Sequence, residues 1–462
     1  MSAPPTGLKQ VFREVLRSKT GIIGVVLLLF ITSLALLTPF IAPFDIAKKW
    51  NDIQWWSDNP VLAAPSWMTI IMPDKYSTTI ILDEFSSTTT QQGDIRITTH
   101  TSSFRYSFRN FPSEIKLVLD ADYEVQKPQI RITLSRPDGE NIVIFQGLPN
   151  KGENIVNLSL DPQSQDLIVS YLFSNFGVAP SAVYPEVVLF AVKDANMNDR
   201  MKASVLRGIY RLTIDVIAFD DRTEVRPRLY VYGNAFGLFG TDAFRRDLIV
   251  GIMWGAPIAL AFGTIAAVVT VLLQVIIGAA GTWFGTRSDE LVQRVADFFL
   301  IIPVLPILIL VNIIYGINIW ALLGWVILFS LVGVSSKVAR SMVLQIREEQ
   351  YIEAAISYGA SKKRVLFLYM LPRMLPYMFA LIALSAPIYI FLEATLSFLD
   401  LGDPNIPSWG KILGDAYEEG ALYLGYWWWV IFPALMIILV SLGFTLFAYS
   451  FDKVVNPRLR EE

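Results

Sequence analysis

Hydrophobic residues in this 462-residue chain are concentrated in long blocks. Residues 21–41 contain no charged side chain, and about 20 apolar residues are enough for a helix to cross a bilayer. Similar apolar blocks follow at residues 249–283, 298–315, 317–334, 374–392 and 427–451. The pattern predicts an α-helical polytopic membrane protein with six transmembrane helices, the first of which covers residues 21–43.

A cleaved signal peptide is the alternative interpretation of the first block. The block is longer than a typical signal core, and it is followed by Pro39, Pro43 and Phe44 rather than by a small-x-small cleavage site. We therefore expect an uncleaved first span.

Basic residues indicate which side of the membrane each connection occupies, because cytoplasmic loops are enriched in Lys and Arg. Residues 337–373 contain Lys337, Arg340, Arg347, Lys362, Lys363, Arg364 and Arg373. The segment before the first span carries Lys9, Arg13, Arg17 and Lys19. By contrast, residues 397–426 have Lys411 as their one basic residue among five acidic ones. We expect residues 1–20 and the tail 453–462 to be cytoplasmic.

A segment of different character, residues 45–233, separates the first two spans. Ile130, Ile132 and Leu134 alternate with polar residues, as in a half-buried strand, and residues 137–140 have the composition of a hairpin turn. The pattern predicts an inserted all-β, sandwich-like domain outside the cytoplasm. The tryptophans at positions 50, 55, 56 and 67 fit either a membrane-interface belt or the core of this domain.

Composition excludes several classes of protein. Hydrophobic residues make up 53% and charged residues 17% of the chain, and mean hydropathy is +0.47, which exclude a disordered chain. The net charge of −3 provides no basic footprint for nucleic acid. The chain has no cysteine and a single histidine, His100, so we expect no disulfide, no metal centre and no bound cofactor.

The most informative cytoplasmic stretch begins at Glu353. Residues 345–358 are predicted to form one short helix, roughly 20 Å long at 1.5 Å per residue, in which Ala354 and Ala355 allow another surface to approach closely. Gly359 can adopt the left-handed conformation that ends a helix, and Pro372 fits the start of the next span. From the residues alone, a solvated amphipathic connector is an equally good interpretation.

The spacing of Glu353-Ala354-Ala355, Gly359 and Leu371-Pro372 resembles the EAA loop of permease subunits in ATP-binding-cassette importers, with Tyr369 where the family usually has isoleucine. Further similarity lies at residues 239–242 with 246–247, where the family normally has glycine at the place of Arg245, and at residues 393–399, 402, 407–410 and 456–460. Together these stretches resemble the C-type permease subunit of dipeptide and oligopeptide importers over residues 236–460. In such relatives the first outer loop is usually short, so the insertion is a departure.

The resemblance implies a permease core at residues 236–452 with an ATPase-coupling loop at 338–372. It implies half of a translocation pathway in a prokaryotic plasma membrane, in a heterodimer with a second permease subunit. Two ATP-binding subunits would carry ATP and Mg, and an extracytoplasmic substrate-binding protein would deliver the solute. The chain has no G-x-x-x-x-G-K-[ST] motif, so we expect a transporter subunit rather than an enzyme. Di- or oligopeptides are the expected substrates, with oligosaccharides or metal chelates as alternatives.

Ionisable residues and prolines in the spans are the other candidates. Glu393 is a candidate pathway or gate residue because burial of charge is costly, although pairing with an arginine or capping of backbone amides explains it as well. Pro303 and Pro387, together with Pro306, are expected to bend their spans. We expect Asp242, Arg246 and Asp247 to form an ion-paired structural elbow.

Other classes of function remain open at this stage. A receptor with an outer β sensor domain would need a cytoplasmic signalling domain, a surface enzyme would need only one span, and a channel would need a selectivity filter. For the inserted domain, docking of a substrate-binding protein and bracing of the second permease are both compatible with the sequence.

Overall fold

The computed structural model describes residues 13–455 except residues 94, 125, 178, 221, 404 and 405. Lys9, the motif at residues 456–460 and most of the two predicted cytoplasmic termini therefore lie outside the described residues. The chain forms two compact units. One is Asp52–Leu248, and the other combines the residues up to Asn51 with those from Ile249 onward.

The secondary structure of the described residues changes from helical to β-rich and back along the chain. The helices are α1 Lys19–Ile41, α2 Phe44–Ala47, α3 Met68–Ile71, α4 Pro162–Phe176, α5 Pro185–Val188, α6 Leu248–Phe284, α7 Thr286–Ile301, α8 Val304–Tyr315, α9 Ile319–Phe329, α10 Val334–Arg347, α11 Gln350–Ser357, α12 Lys362–Val365, α13 Leu371–Phe398, α14 Trp409–Glu418 and α15 Trp427–Val455. The strands are β1 Ile80–Leu82, β2 Ser86–Gln92, β3 Ile95–Tyr106, β4 Glu114–Asp122, β5 Gln129–Ser135, β6 Asn141–Gly147, β7 Gly152–Asn157, β8 Gly208–Ala218 and β9 Glu224–Tyr232.

The prediction of apolar membrane-spanning helices is confirmed. Among the described residues, four helices are long and apolar enough to cross a bilayer: Lys19–Ile41, Leu248–Phe284, Lys362–Phe398 and Trp427–Lys453. Two further pairs meet the same criterion only when each pair is taken together: α7 with α8, bent by 72°, and α9 with α10, bent by 40°. The number of candidate spans is therefore four, or up to six if each bent pair is one span.

Each bend has a local chemical feature that accompanies it. Pro303 immediately precedes α8, and Ile302 before it has ψ 126°, the extended conformation that proline imposes on its predecessor. Between α9 and α10, the buried side chain of Gln274 accepts from the Ser335 N–H (3.1 Å) and donates to the Ser330 carbonyl (2.7 Å). The side chain thus satisfies backbone groups that the broken helix leaves open, as an apolar environment requires.

The unit Asp52–Leu248 is built on two antiparallel sheets. Their strand orders are β1-β9-β4-β7 and β2-β3-β8-β5-β6. The predicted alternation is present, because Ile130, Ile132 and Leu134 are buried in one hydrophobic cluster. Leu117 of the first sheet and Tyr210 of the second belong to the same cluster, so the two sheets share a core.

The expectation of an all-β insertion is wrong at α4, a helix of 15 residues. The Asp161 carboxylate accepts the Ser164 N–H (2.8 Å) as an N-cap, and Pro162 occupies the first turn. Gly177 ends the helix with φ +68°. These start and stop signals are visible in the sequence, but the weak apolar period between them conceals the helix.

Two of the four tryptophans before the sheets are enclosed by protein. Trp50 is buried in the helical unit, where its ring lies 2.9 Å from the place that a Cβ on Gly251 would occupy. Trp56 is buried in the β-rich unit, whereas Trp55 is exposed.

Candidate functional site

The segment with the EAA spacing is a short helix of its own. The expectation of one helix over residues 345–358 is wrong, because α10 ends at Arg347 and α11 begins at Gln350. Glu349 interrupts the helix with an extended backbone (φ −78°, ψ 138°). The eight residues of α11 are therefore about 12 Å long.

The C-terminal end of α11 depends on one glycine. Gly359 has φ +82°, the left-handed conformation expected from the sequence. The Ala360 N–H donates to the Ala355 carbonyl (3.0 Å), and the Gly359 N–H donates to the Ile356 carbonyl (2.9 Å). This pair of bonds is the Schellman motif, which satisfies carbonyls that a helix end leaves free.

One side of α11 is anchored in the helical unit. Ile352 is completely buried in a hydrophobic cluster that includes Val275 of α6, Val343 of α10 and Met374 of α13. The Trp283 indole N–H donates to the Lys362 carbonyl (2.9 Å), so the C-terminal end of α6 is bonded to the first residue of α12. The Ile352 side chain thus packs α11 against α6, α10 and α13.

The other side of α11 is open. Glu353 and Ala354 are exposed, Ala355 is half-buried, and the Glu353 carboxylate has no ion-pair partner among the described residues. Ile356 is 50% exposed and Tyr358 is 93% exposed. The exposed face of α11 therefore combines a carboxylate with the apolar side chain of Ile356 and the aromatic ring of Tyr358.

Leu371 and Pro372 lie inside a continuous helical segment. The segment runs from Lys362 to Phe398 and contains a π-helical turn at Leu366–Met370. Leu371 packs against the cluster that holds Ile352, whereas Pro372 is exposed. Pro372 lies in the first turn of α13, as expected from the sequence, but helical structure also extends ten residues further back, to Lys362, through the π turn.

Glu393 is buried near the end of α13 and is held by serine hydroxyls. Ser397 Oγ donates to Glu393 Oε1 (2.8 Å), and the Ser408 side chain also hydrogen-bonds the carboxylate. A Cβ on Gly410 would lie 2.2 Å from the Ala394 carbonyl oxygen, so α13 and α14 are in backbone contact beside this carboxylate. These serines were missed as its partners, although both lie within the motifs at residues 393–399 and 407–410.

The two proline candidates occupy different helices. Pro387 is buried within α13, six residues before Glu393, and Pro303 is exposed at the 72° bend. Val304, next to Pro303, and Leu392, next to Glu393, pack against the same hydrophobic cluster.

Asp242 and Arg246 form a buried ion pair in the β-rich unit. One Asp242 oxygen accepts the N–H groups of Phe244 and Arg246 (both 2.9 Å), and the other accepts the Arg246 Nε–H. Burial raises the pKa of Asp242 to about 6, and the charge of Arg246 acts in the opposite direction. Asp247 pairs with Thr241 through a backbone bridge that closes the same turn.

Arg245 adopts the conformation for which glycine is suited. Its φ of +65° is left-handed, which costs a residue with a Cβ roughly 1–2 kcal/mol. The Arg245 guanidinium donates to the Asn59 carbonyl (2.6 Å) and pairs with Glu114, so side-chain contacts offset the strain.

Gln274 is a structural link between helices that the sequence analysis missed. Its signal was an uncharged polar side chain inside the apolar block 249–283. In the structure, Gln274 links α6 to the break between α9 and α10.

Comparison with known proteins covers both parts of the helical unit. Residues 271–461 match the family model for the binding-protein-dependent transport system inner membrane component. Residues 6–65 match the N-terminal transmembrane domain of oligopeptide transport permease C. Neither range includes residues 66–270.

Individual relatives have about the same degree of similarity. The oligopeptide transport system permease protein OppC of Bacillus subtilis is 31% identical over 230 residues, which cover 48% of this chain and 72% of the relative. A putative peptide transport system permease protein of Brucella suis is 32% identical over 248 residues, 52% and 79% of the two chains. The dipeptide transport system permease protein DppC of Bacillus subtilis is 30% identical over 223 residues, 48% and 69%.

Proposed function

The chain belongs to the family of binding-protein-dependent transport permeases, and we propose that it is a permease subunit of an ATP-driven importer for dipeptides or oligopeptides. The observation that carries the proposal is α11, whose Ile352 is buried among the long helices while Glu353, Ala354 and Tyr358 face outward. Such a helix can receive force on one side and deliver it on the other.

We propose that α11 docks on an ATP-binding subunit through its open face. Ala354 and Ala355 have small side chains, so a groove on the partner can approach the backbone of α11. Glu353 offers an unpaired carboxylate to a cation or a helix N-terminus of the partner. ATP and Mg would be held by two such partner subunits, and closure of these subunits would tilt α6, α10 and α13 through the Ile352 cluster.

The proposed assembly includes a second permease subunit and an extracytoplasmic substrate-binding protein. Six spans result when each bent helix pair counts as one, and this even number would place both termini in the cytoplasm. The basic residues around α11 and α12 support a cytoplasmic position for the coupling loop. The β-rich unit would then be an extracytoplasmic, sandwich-like insertion.

Glu393, Pro387 and Pro303 are proposed as pathway or gate residues. The buried Glu393 carboxylate lies where α13 and α14 are in backbone contact, so it would respond to a change in the packing of these helices.

Charge reversal at Glu353 tests the coupling role. In proteoliposomes that contain the partner subunits, Glu353→Lys should lower peptide uptake at least about tenfold, which corresponds to about 1.4 kcal/mol of docking energy, while the complex still hydrolyses ATP. The matched control is Glu418→Lys, which reverses an exposed charge at the end of α14 and should leave uptake unchanged. Wild-type uptake in Glu353→Lys would contradict the coupling role.

A further inference from the structure

The β-rich unit contains a cavity with a strongly positive lining. Its volume is about 610 Å³, within the usual range for small-molecule sites. Among the described residues that line it, none is acidic, and the polar ones include Arg109, Asn110, Arg200, Arg207 and Asn234.

Much of this positive charge is not neutralised. Arg109 pairs with Asp74 (2.8 Å) at an exposed position. Arg200 makes one long hydrogen bond, to the Pro112 carbonyl (3.4 Å), and Arg207 has no ion pair or hydrogen bond within the described part of the chain. Arg109, Arg200 and Arg207 are exposed side chains that line the same cavity. Guanidinium groups attract oxyanions and can bind them through two parallel hydrogen bonds.

The wall of the cavity behind the arginines, formed by Asn110 and Asn234, is held in place by hydrogen bonds. The Asn110 amide N–H₂ donates to Ser77 Oγ (3.1 Å) and to Asn234 Oδ1 (3.2 Å), and Asn234 donates to the Lys75 carbonyl (2.9 Å). The Tyr106 hydroxyl donates to the Asn110 carbonyl (2.6 Å). A wall held in this way needs little reorganisation when a ligand binds, which favours affinity.

The C-terminal carboxylate of a peptide and a phosphate both offer an oxyanion of the kind that guanidinium groups bind.

We propose that this cavity is a binding site for a small ligand with a carboxylate or phosphate group, recognised chiefly by Arg200 and Arg207. The site is independent of α11 and of the coupling to ATP hydrolysis, and it gives the inserted domain a ligand-binding role of its own.

The test uses the full chain in phosphatidylcholine nanodiscs and isothermal titration calorimetry. The probes are inorganic phosphate, a dipeptide with a free C-terminus, and the same dipeptide with an amidated C-terminus. The double variant Arg200→Gln/Arg207→Gln should raise the Kd of the bound oxyanion at least about tenfold, since hydrogen bonds to charged groups contribute about 1.5–3 kcal/mol. The matched control is Arg131→Gln, an exposed position on β5 outside the cavity, which should bind as the wild type does.

The probes distinguish the possible ligands. Binding of phosphate alone assigns the site to phosphate, and binding of the free dipeptide but not of its amide assigns it to a carboxylate. The proposal is overturned if neither phosphate nor the free dipeptide binds saturably, if the amide binds as tightly as the free acid while phosphate does not bind, or if the double variant binds like the wild type.

Discussion

Replacement of Gly359 by valine perturbs the end of α11 with almost no other structural effect. A Cβ at this position would meet no heavy atom within 4 Å, so the substitution causes no steric clash with a neighbouring segment. The cost comes from the backbone, because φ is +82° and a residue with a Cβ loses roughly 1–2 kcal/mol in the left-handed region. A β-branched residue such as valine is an outlier there.

This strain weakens the hydrogen bonds that close the C-terminal end of α11. A loss of 1–2 kcal/mol lowers the equilibrium constant for the capped conformation by a factor of about 5–30. The Ala360–Ala355 and Gly359–Ile356 hydrogen bonds would open, and the exposed face with Ile356 and Tyr358 would lose its fixed shape. We expect Gly359→Val to reduce the number of peptides imported per ATP hydrolysed by at least about fivefold.

The assay measures peptide uptake and ATP hydrolysis in the same proteoliposomes. Gly177→Val is the matched control, because Gly177 also ends a helix, has φ +68° and has no atom within 4 Å of its Cβ position, but belongs to the β-rich unit. The reasoning is refuted if Gly359→Val transports with wild-type stoichiometry, or if Gly177→Val lowers the stoichiometry to the same extent.

Substitutions at three further positions test the local interactions, each by denaturation of the purified protein. Gln274→Leu should destabilise the helical unit by about 1–3 kcal/mol per orphaned backbone group, and wild-type stability would contradict the link to Ser330. Arg245→Gly should be more stable than Arg245→Ala by about 1–2 kcal/mol, since only glycine relieves the positive φ; equal stabilities would contradict the strain. The folded pKa of Asp242, about 6, exceeds its ordinary value of 3.8, so the native state binds the proton more tightly and this carboxyl favours folding below pH 4. That contribution is lost as pH rises from about 4 to 6, and Asp242→Asn should flatten the stability profile in this window; an unchanged profile would contradict the raised pKa of Asp242.

Much of the fold could be predicted because its signals are local. Charge-free apolar blocks identify the long helices, and two-residue alternation identifies strands such as β5. Gly359 could be placed in the left-handed region because glycine adopts positive φ without steric cost. The break at Glu349 and the π turn Leu366–Met370 had no such signal, since both occur in sequence with good helix propensity.

The partners of the candidate residues depend on contacts between distant segments. Ile352 is one of many isoleucines in the sequence, and only its packing among α6, α10 and α13 identifies it as the anchor of α11. Ser408 reaches Glu393 because α14 folds back against α13, which local pattern does not specify. Arg200 and Arg207 likewise reach the same cavity as Arg109 only through the tertiary fold.

The central claim is that α11 contacts an ATP-binding subunit, and cross-linking tests it most directly. The chain has no cysteine, so Ala354→Cys creates a unique attachment point on the exposed face of α11, and Ser170→Cys on the exposed surface of α4 is the control. In the assembled, transport-active complex, a short cross-linker with a thiol-reactive maleimide at one end and an amine-reactive ester at the other should join the Ala354→Cys thiol to a lysine amine of an ATP-binding subunit and leave the Ser170→Cys chain free of that subunit. The account is contradicted if the Ala354→Cys complex imports peptide at the wild-type rate and yet forms no cross-link to any ATP-binding subunit.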